Sequence, residues 1–225
     1  MKLIRWLRDL RFRVFYELFT KSVRGLETFG NTCQWTFSPR DCGPQSTILC
    51  AGAGHDISFE KALISNYGCR VVLLDPSPTG IATVERESLP PEKLIFYPMG
   101  LADVDGLLEF HEPHDPMEGS FVGGAETGGR VVRFPCKTLS TLIGELGWSH
   151  IDLLKIDIEG FEYAVLREIL EKKLNVKQIC VEFHHGPQFG RSNRETVRLI
   201  LALRKAGYDL VYRSYWDHTF LLRET

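Results

Sequence analysis

Two short stretches of this sequence carry enough charged side chains, closely enough spaced, to do chemistry. Residues 151–162 read Ile-Asp-Leu-Leu-Lys-Ile-Asp-Ile-Glu-Gly-Phe-Glu, and residues 181–187 read Val-Glu-Phe-His-His-Gly-Pro. Alternate residues of an extended strand share a face, so Lys155, Asp157 and Glu159 point the same way. Central strands of parallel sheets are apolar on both faces. Charges at their carboxyl ends therefore project into the crevice where open α/β sheets hold ligands. If the second stretch is the neighbouring strand, Glu182 and His184 open onto the same crevice. Carboxylates beside an imidazole suit general acid/base catalysis or metal ligation. No diagnostic ligand spacing accompanies them, and no metal ligand set is assigned. A plainer reading stands beside this one: Lys155 pairs with a carboxylate, and Glu159 sits at a helix start where its charge suits the dipole.

A third stretch would hold a ligand rather than react with it. The apolar run 46–51 leads into Ala51-Gly52-Ala53-Gly54, and glycines at such a turn let the backbone bend sharply and approach a bound group. Asp75 ends the next apolar run, about 20 residues on, where a carboxylate can accept hydrogen bonds from both hydroxyls of a ribose. Together these features point to a cofactor carrying adenosine. A dinucleotide would call for a third small residue three positions after Gly54, and Ile57 stands there. An NAD-dependent enzyme is thereby disfavoured relative to S-adenosyl-L-methionine, which has no pyrophosphate.

The elements that must position these groups alternate along the chain. Strands are expected at 46–51, 70–75, 93–98, 151–157 and 175–183, with helices at 58–67, 78–87, 138–147, 161–173 and 193–206. Segments 106–111 and 130–135 look like an antiparallel pair around a Gly-rich loop. A hairpin over Tyr215-Trp216-Asp217 closes the chain. Alternating βα units imply a doubly wound, mostly parallel α/β sheet whose last strand enters antiparallel. Residues 2–26 form an amphipathic helix: Arg5, Asp9, Arg13, Glu17 and Lys21 make an i, i+4 charge ladder, opposite a stripe that includes Leu10, Val14, Leu18 and Phe19. That stripe suits docking on the helix's own domain first, with a membrane surface or a second copy of the chain (a homodimer) as the other surfaces it fits. Segment 28–45, rich in Asn, Thr, Ser, Pro and Gly, reads as a linker. The expected division is thus residues 1–45, helix and linker, and residues 46–225, the ligand-binding domain.

The order of segments CAGAGHDISFE, VVLLDPSP, FYPMGLADVDGLLEF, MEGS, FPCKTLSTLI, IDLLKIDIEGFEYAVL and ICVEFHH resembles the FkbM-type methyltransferase family over roughly residues 46–222. KIDIEGFE is the specific part; the Gly turn is common to most class I methyltransferases. The resemblance implies a seven-stranded Rossmann-like fold, S-adenosyl-L-methionine as cofactor, and methylation of hydroxyls, often on sugars or glycosylated metabolites. It implies that Ala51, Gly52, Ala53, Gly54, Asp75, Pro76 and Ser77 hold the cofactor, with Leu101, Ala102 and Asp103 near its adenine. It places Asp157 and Glu159 at the methyl-transfer crevice, where Glu182, His184 and Lys155 join them as candidate catalytic groups. His184 and Asp157 rank first as base, because a carboxylate can orient an imidazole. The chain departs from the family pattern at Cys50, where an acid is usual, at His55, where Asn is often found, and at Asp75-Pro76-Ser77, where Glu-Pro-Asn is usual. Two other readings remain open: a non-catalytic S-adenosylmethionine-binding module, and methylation of a protein side chain.

Composition sets outer bounds. At 225 residues with 44% hydrophobic content the chain can bury a full core as one domain. A net charge of −2 offers no global attraction for nucleic acid; the small-molecule or glycan acceptor expected here is what the family resemblance implies. No apolar run approaches the roughly 18 residues of a membrane span, and the arginines of the first 19 residues interrupt any signal-peptide core. Four of the six cysteines lie in or beside apolar runs. A reducing, cytoplasmic setting is the default, at most peripheral to a membrane. The pattern-poor loop 111–130 is long for a compact domain and reads as a lid or acceptor loop.

Overall fold

The computed structural model describes residues 16–113, 121, 130–186 and 189–224. Strands β1 (Glu27–Phe29) and β2 (Trp35–Phe37) pair antiparallel as a small ribbon. Then come β3 (Thr47–Ala51), helix α1 (Ser58–Tyr67), β4 (Arg70–Leu74), α2 (Pro78–Glu87) and β5 (Leu94–Tyr97). β6 (Gly100–Leu101), β7 (Gly106–His111) and β8 (Val131–Lys137) form a three-stranded accessory sheet in the order β6-β8-β7. The chain continues through α3 (Leu139–Leu146), β9 (Leu153–Ile156), α4 (Glu162–Lys172), β10 (Gln178–Glu182), α5 (Asn193–Lys205), β11 (Tyr208–Ser214) and β12 (Asp217–Leu222).

The main sheet has seven strands in the order β11-β12-β10-β9-β3-β4-β5. β10, β9, β3, β4 and β5 run parallel, while β12 enters antiparallel to β10 and carries β11 at the edge. The doubly wound sheet with its closing hairpin is therefore as the sequence implies. Strand order turns about the β9–β3 pair, the switch point at whose carboxyl edge such sheets bind ligands. β3 shows why a run as short as Thr-Ile-Leu-Cys-Ala suffices. Leu49 and Ala51 point into the core under α3, α4 and α5, whereas Ile48 and Cys50 point into the core with α1 and β2, so both faces are covered. Helix ends are specified locally: Ser77 accepts from the Gly80 N–H, Thr138 from Thr141, and Ser192 with Glu195 makes a reciprocal capping box.

Three expectations are corrected. Segment 28–45 is no linker: Trp35 and Phe37 are buried against Phe59, and Ser38 exchanges two hydrogen bonds with Gln178 of β10. Its polar composition concealed two short strands with aromatic ends. The first helix stops at Phe19 instead of 26, because Thr20 bridges to Leu210 and the Lys21 N–H donates to the Leu210 carbonyl, extending the sheet edge. Leu18, expected on the buried stripe, is 73% exposed. Tyr16 packs inward instead, with its hydroxyl on His218 and the Arg213 guanidinium over its ring. The rest of the expected helix, residues 2–15, lies outside the described residues, as does most of the 111–130 loop. All six cysteines are free. Among the described residues no helix is long and apolar enough to cross a membrane.

Asp152 joins the feet of three strands. Its Oδ2 accepts from the Thr47 N–H (2.8 Å) and Thr47 hydroxyl (3.0 Å) beside β3, and its Oδ1 accepts from Lys177 (2.7 Å) before β10. Burial opposes its charge, but Lys177 and Thr47 outweigh burial and hold the carboxyl below the usual aspartate range. Asp152→Ala should therefore cost about 2 kcal/mol of unfolding free energy at pH 7. A depressed folded-state pKa gives stability that is present above about pH 4 and lost as pH falls, so the gap between the two proteins should narrow by pH 3. Denaturant titrations at both pH values test this; equal stabilities at pH 7 would show that the strand feet hold without it.

Candidate functional site

At the carboxyl ends of β3 and β9 lies a cleft of about 250 Å³. One wall is the glycine loop. Gly52 has φ +93°, and a Cβ there would sit 1.9 Å from the Asp157 carbonyl oxygen, so only glycine lets the loop pass the end of β9. Gly54 has φ +49° and open space beside it. The opposite wall is apolar, built from Leu101, Phe110, Phe121 and Phe161, with Phe110 and Phe161 ring centroids 5.2 Å apart. Thr32 and Cys33, from the supposed linker, also line the cleft.

Asp75 does not present a free carboxylate. Its Oδ2 accepts from the N–H groups of Ala53 (2.7 Å) and Gly54 (3.0 Å), and its Oδ1 from Ser77 (2.7 Å). A carboxylate has about four acceptor sites; three are occupied by backbone, so one ribose hydroxyl, not two, can be added. The side chain is sandwiched between the glycine loop and the start of α2. A Cβ on Gly80 would lie 2.2 Å from its Cγ. Aspartate, where the family usually has the longer glutamate, acts first as a clamp on the loop.

Lys155, 3% exposed, is likewise turned inward. Its Nζ donates to the Gly52 carbonyl and stands 5.0 Å over the Trp35 ring. Burial opposes its charge, but Glu60 first and Asp157 next outweigh burial and lift its pKa above the ordinary lysine value. The buried Glu60 carboxyl is itself pushed up by burial, with Lys155 pulling the other way. Lys155 thus ties the loop carbonyl to β9 while lining the cleft.

Beyond the floor of the cleft the acidic residues converge on one imidazole. β10 pairs directly with β9, placing Glu182 and His184 beside Asp157 and Glu159, as the sequence suggested. His184 Nε2 lies 3.4 Å from Glu159, 3.8 Å from Asp157 and 3.9 Å from Glu182. Glu162 lies behind the ring, fully buried, accepting from the backbone N–H groups of Gly160 (2.8 Å) and His184 (2.6 Å). Burial works against a charged His184, yet Glu162 and then Glu159 overcome it and raise its pKa to about 10. Burial, reinforced by Asp157, lifts Glu182 to about 7 and Asp217 to about 6. Glu159 holds φ +52° and Tyr215 φ +48°, two non-glycine residues in the left-handed region beside this cluster. Backbone strain of that kind costs about 1–3 kcal/mol each and gathers at functional sites.

Of the residues expected to bind cofactor, Gly52, Ala53, Gly54, Asp75, Pro76, Ser77 and Leu101 line the cleft. Ala51 is buried in the core, Ala102 is buried beside Phe110 and Cys136, and Asp103 faces solvent. Asp157, Glu159 and Lys155 line it; Glu182 and His184 stand outside its lining. Sequence reasoning missed Glu162, although it is the third acid of the 157–162 run, and Asp217, which β12 places opposite Glu182. It also missed the phenylalanine wall, whose members come from three separate segments.

A family model described as the methyltransferase FkbM domain matches residues 41–210. The chain belongs to the FkbM methyltransferase family. Human "Probable methyltransferase-like protein 24" is 27% identical over 166 residues, which is 72% of this FkbM-family chain and 39% of that protein. The chain thus spans about two fifths of that relative's length. Among solved structures, the METTL16 MTase domain aligns with a TM-score of 0.44 at 10% identity, covering 81% of this chain and 63% of that one. A methyltransferase from Pyrococcus furiosus aligns with a TM-score of 0.38 at 13% identity, covering 96% and 95%. The fold assignment of this FkbM-family member stands on its own strand order.

The clamp on the glycine loop has a measurable consequence. Asp75→Asn replaces an acceptor with an amide that must face an N–H donor. It should destabilise the chain by about 1.5–3 kcal/mol and speed hydrogen exchange at Ala53 and Gly54 by tenfold or more. Gly80→Ala should do the same from the other side, despite alanine's helix preference of about 1 kcal/mol, because its methyl displaces the Asp75 carboxylate. Native-state hydrogen exchange by NMR checks both; a Gly80→Ala variant more stable than the wild type refutes the packing.

Proposed function

We propose that this chain transfers a methyl group from S-adenosylmethionine to a hydroxyl of a sugar, glycan or glycosylated metabolite. The observation that carries the reading is the meeting of Asp157 and Glu159, from the family-specific segment, with the Gly52–Gly54 loop in one cleft. The residues present fit the cofactor. The loop is kept close to β9 by an obligatory glycine, the far wall is aromatic and apolar as a purine requires, and Asp75 keeps one acceptor site for a ribose hydroxyl. When bound, S-adenosylmethionine supplies an already activated methyl on a sulfonium, so the protein's task is alignment and proton removal.

Alignment falls to the walls of the cleft, with Leu101, Phe110 and Phe161 on the apolar side and the loop on the polar side. Proton removal falls to Glu159 and Asp157, the carboxylates lining the floor. A base accepting the hydroxyl proton contributes about 10²–10⁴-fold. His184, ranked first with Asp157 on sequence, is 4% exposed and shielded by carboxylates, so it cannot reach an acceptor and serves to position them. A sugar acceptor is favoured by Trp216, 38% exposed with its ring 5.9 Å from that of His184, which offers an aromatic face next to hydroxyl-binding carboxylates. For this acceptor the cytoplasm remains the proposed setting, and a membrane surface or a second copy of the chain remains a proposed partner.

Calorimetric titration should show binding of S-adenosylmethionine and S-adenosylhomocysteine and none of NAD. In a screen of glycosides with labelled cofactor, Glu159→Gln and Asp157→Ala should each lower turnover by about two orders of magnitude while cofactor affinity stays within a few-fold. Cofactor binding without turnover on any hydroxylated acceptor would point instead to a binding module. Full activity in both variants would remove the proposed base.

A further inference from the structure

His184 is buried to 4% exposure, yet among the described residues its Nδ1 has no hydrogen-bond partner. Its Nε2 faces Glu159, Asp157 and Glu182 at 3.4, 3.8 and 3.9 Å, all beyond the usual 2.7–3.2 Å of an N–H···O bond. A ring that existed to make an ion pair would lean onto one of these oxygens; this one stands off from all three. Behind it, Glu162 Oε1 is 3.5 Å from Nδ1, and Glu162 is itself held by two backbone N–H groups. With that carboxylate on the Nδ1 side, Nε2 is the nitrogen turned toward the acids, and a cation bound there would take the place of its proton. Metal-binding histidines are oriented in this way.

We infer that Asp157, Glu182 and His184 form a site for a divalent cation that takes mixed nitrogen and oxygen ligands, of the Mn²⁺ or Zn²⁺ kind. One ligand atom from each lies within 4.8 Å of the other two. Ligand atoms about 2.1 Å from a metal lie ~3.0 Å apart when adjacent and ~4.2 Å when opposite. The 3.8 and 3.9 Å separations fall between these and need only small side-chain closure. Charge favours the same answer: Asp157 and Glu182 present two carboxylates to one point, which a divalent ion would meet together. The imidazole nitrogen argues against Mg²⁺, which prefers an all-oxygen shell.

Asp157 also lines the cofactor cleft, so a cation here stands beside the methyl-transfer position, with its remaining coordination open to neighbouring hydroxyls of an acceptor. That use rests on the proposed methyl transfer; the binding does not. The test takes the full chain, stripped with a chelator, and adds Mn²⁺ alone. Free-ion electron paramagnetic resonance should show one Mn²⁺ taken up per chain, and the thermal unfolding midpoint should rise. Glu182→Gln and Asp157→Asn should each weaken uptake by tenfold or more, and Glu182→Gln should do so without lowering the metal-free midpoint, which separates ligand loss from misfolding. No uptake of Mn²⁺, and none of Zn²⁺ by calorimetry, at millimolar concentration overturns the site, as does unchanged affinity in both variants. S-adenosylmethionine titration of the metal-free protein runs alongside. Cofactor binding without metal uptake defeats this inference alone, and metal uptake without cofactor binding defeats only the methyl-transfer reading.

Discussion

A lysine ammonium held at 3% exposure must be surrounded by partners, because an unpaired charge in a protein interior is among the most costly features a fold can carry. Lys155 meets that demand with one group from each of the elements around it. Glu60 comes from α1, the Gly52 carbonyl from the loop after β3, the Trp35 face from the β1–β2 ribbon, and Asp157 from its own strand. Each of these elements has other reasons to pack where it does, but the ammonium sets their mutual positions. It draws the glycine loop down onto β9, which is why a side chain on Gly52 would collide with the Asp157 carbonyl. It also explains why the polar stretch before β3 belongs to the domain. Without Trp35 the lysine would be open on one side.

Asp75 completes the arrangement from the opposite flank. Lys155 pulls on the loop's carbonyl while Asp75 accepts from its amides, so both polarities of the loop backbone are satisfied by side chains. The loop is thereby built before any ligand arrives, which lowers the conformational cost of binding. Gly80 makes room for the carboxylate at the first turn of α2, linking the second βα unit to the first.

The acidic cage is organised on another principle. Its members are brought together by the pairing of β9 with β10 and of β10 with β12, three strand ends that would repel one another if their charges were unrelieved. Glu162, buried and fixed by backbone donors, holds the His184 ring at the centre. The two left-handed residues, Glu159 and Tyr215, lie at the turns leaving β9 and leading into β12. Their strain is tolerated because the sheet on either side determines the backbone path.

What the sequence alone determined was the alternation of elements, the parallel sheet with its antiparallel close, and the grouping of charged residues at strand ends. These follow from period-2 and period-3.6 patterning and from glycine placement, which are local properties readable along the chain. The neighbourhood of Asp157 and His184 was also legible, because consecutive βα units tend to lie side by side. Tertiary structure decided how each charge is used. Asp75 and Asp157 look alike in sequence, each ending an apolar strand, yet one is closed over by backbone amides and the other is left facing a cleft. Lys155 lines the cleft and is tied to the Gly52 carbonyl; Glu162 went unassigned and holds the His184 backbone; segment 28–45 looked like a tether and is a wall. The reason is that the role of a buried polar group depends on which donors and acceptors reach it, and those arrive from residues 20 to 140 positions away. Local pattern carries no record of them.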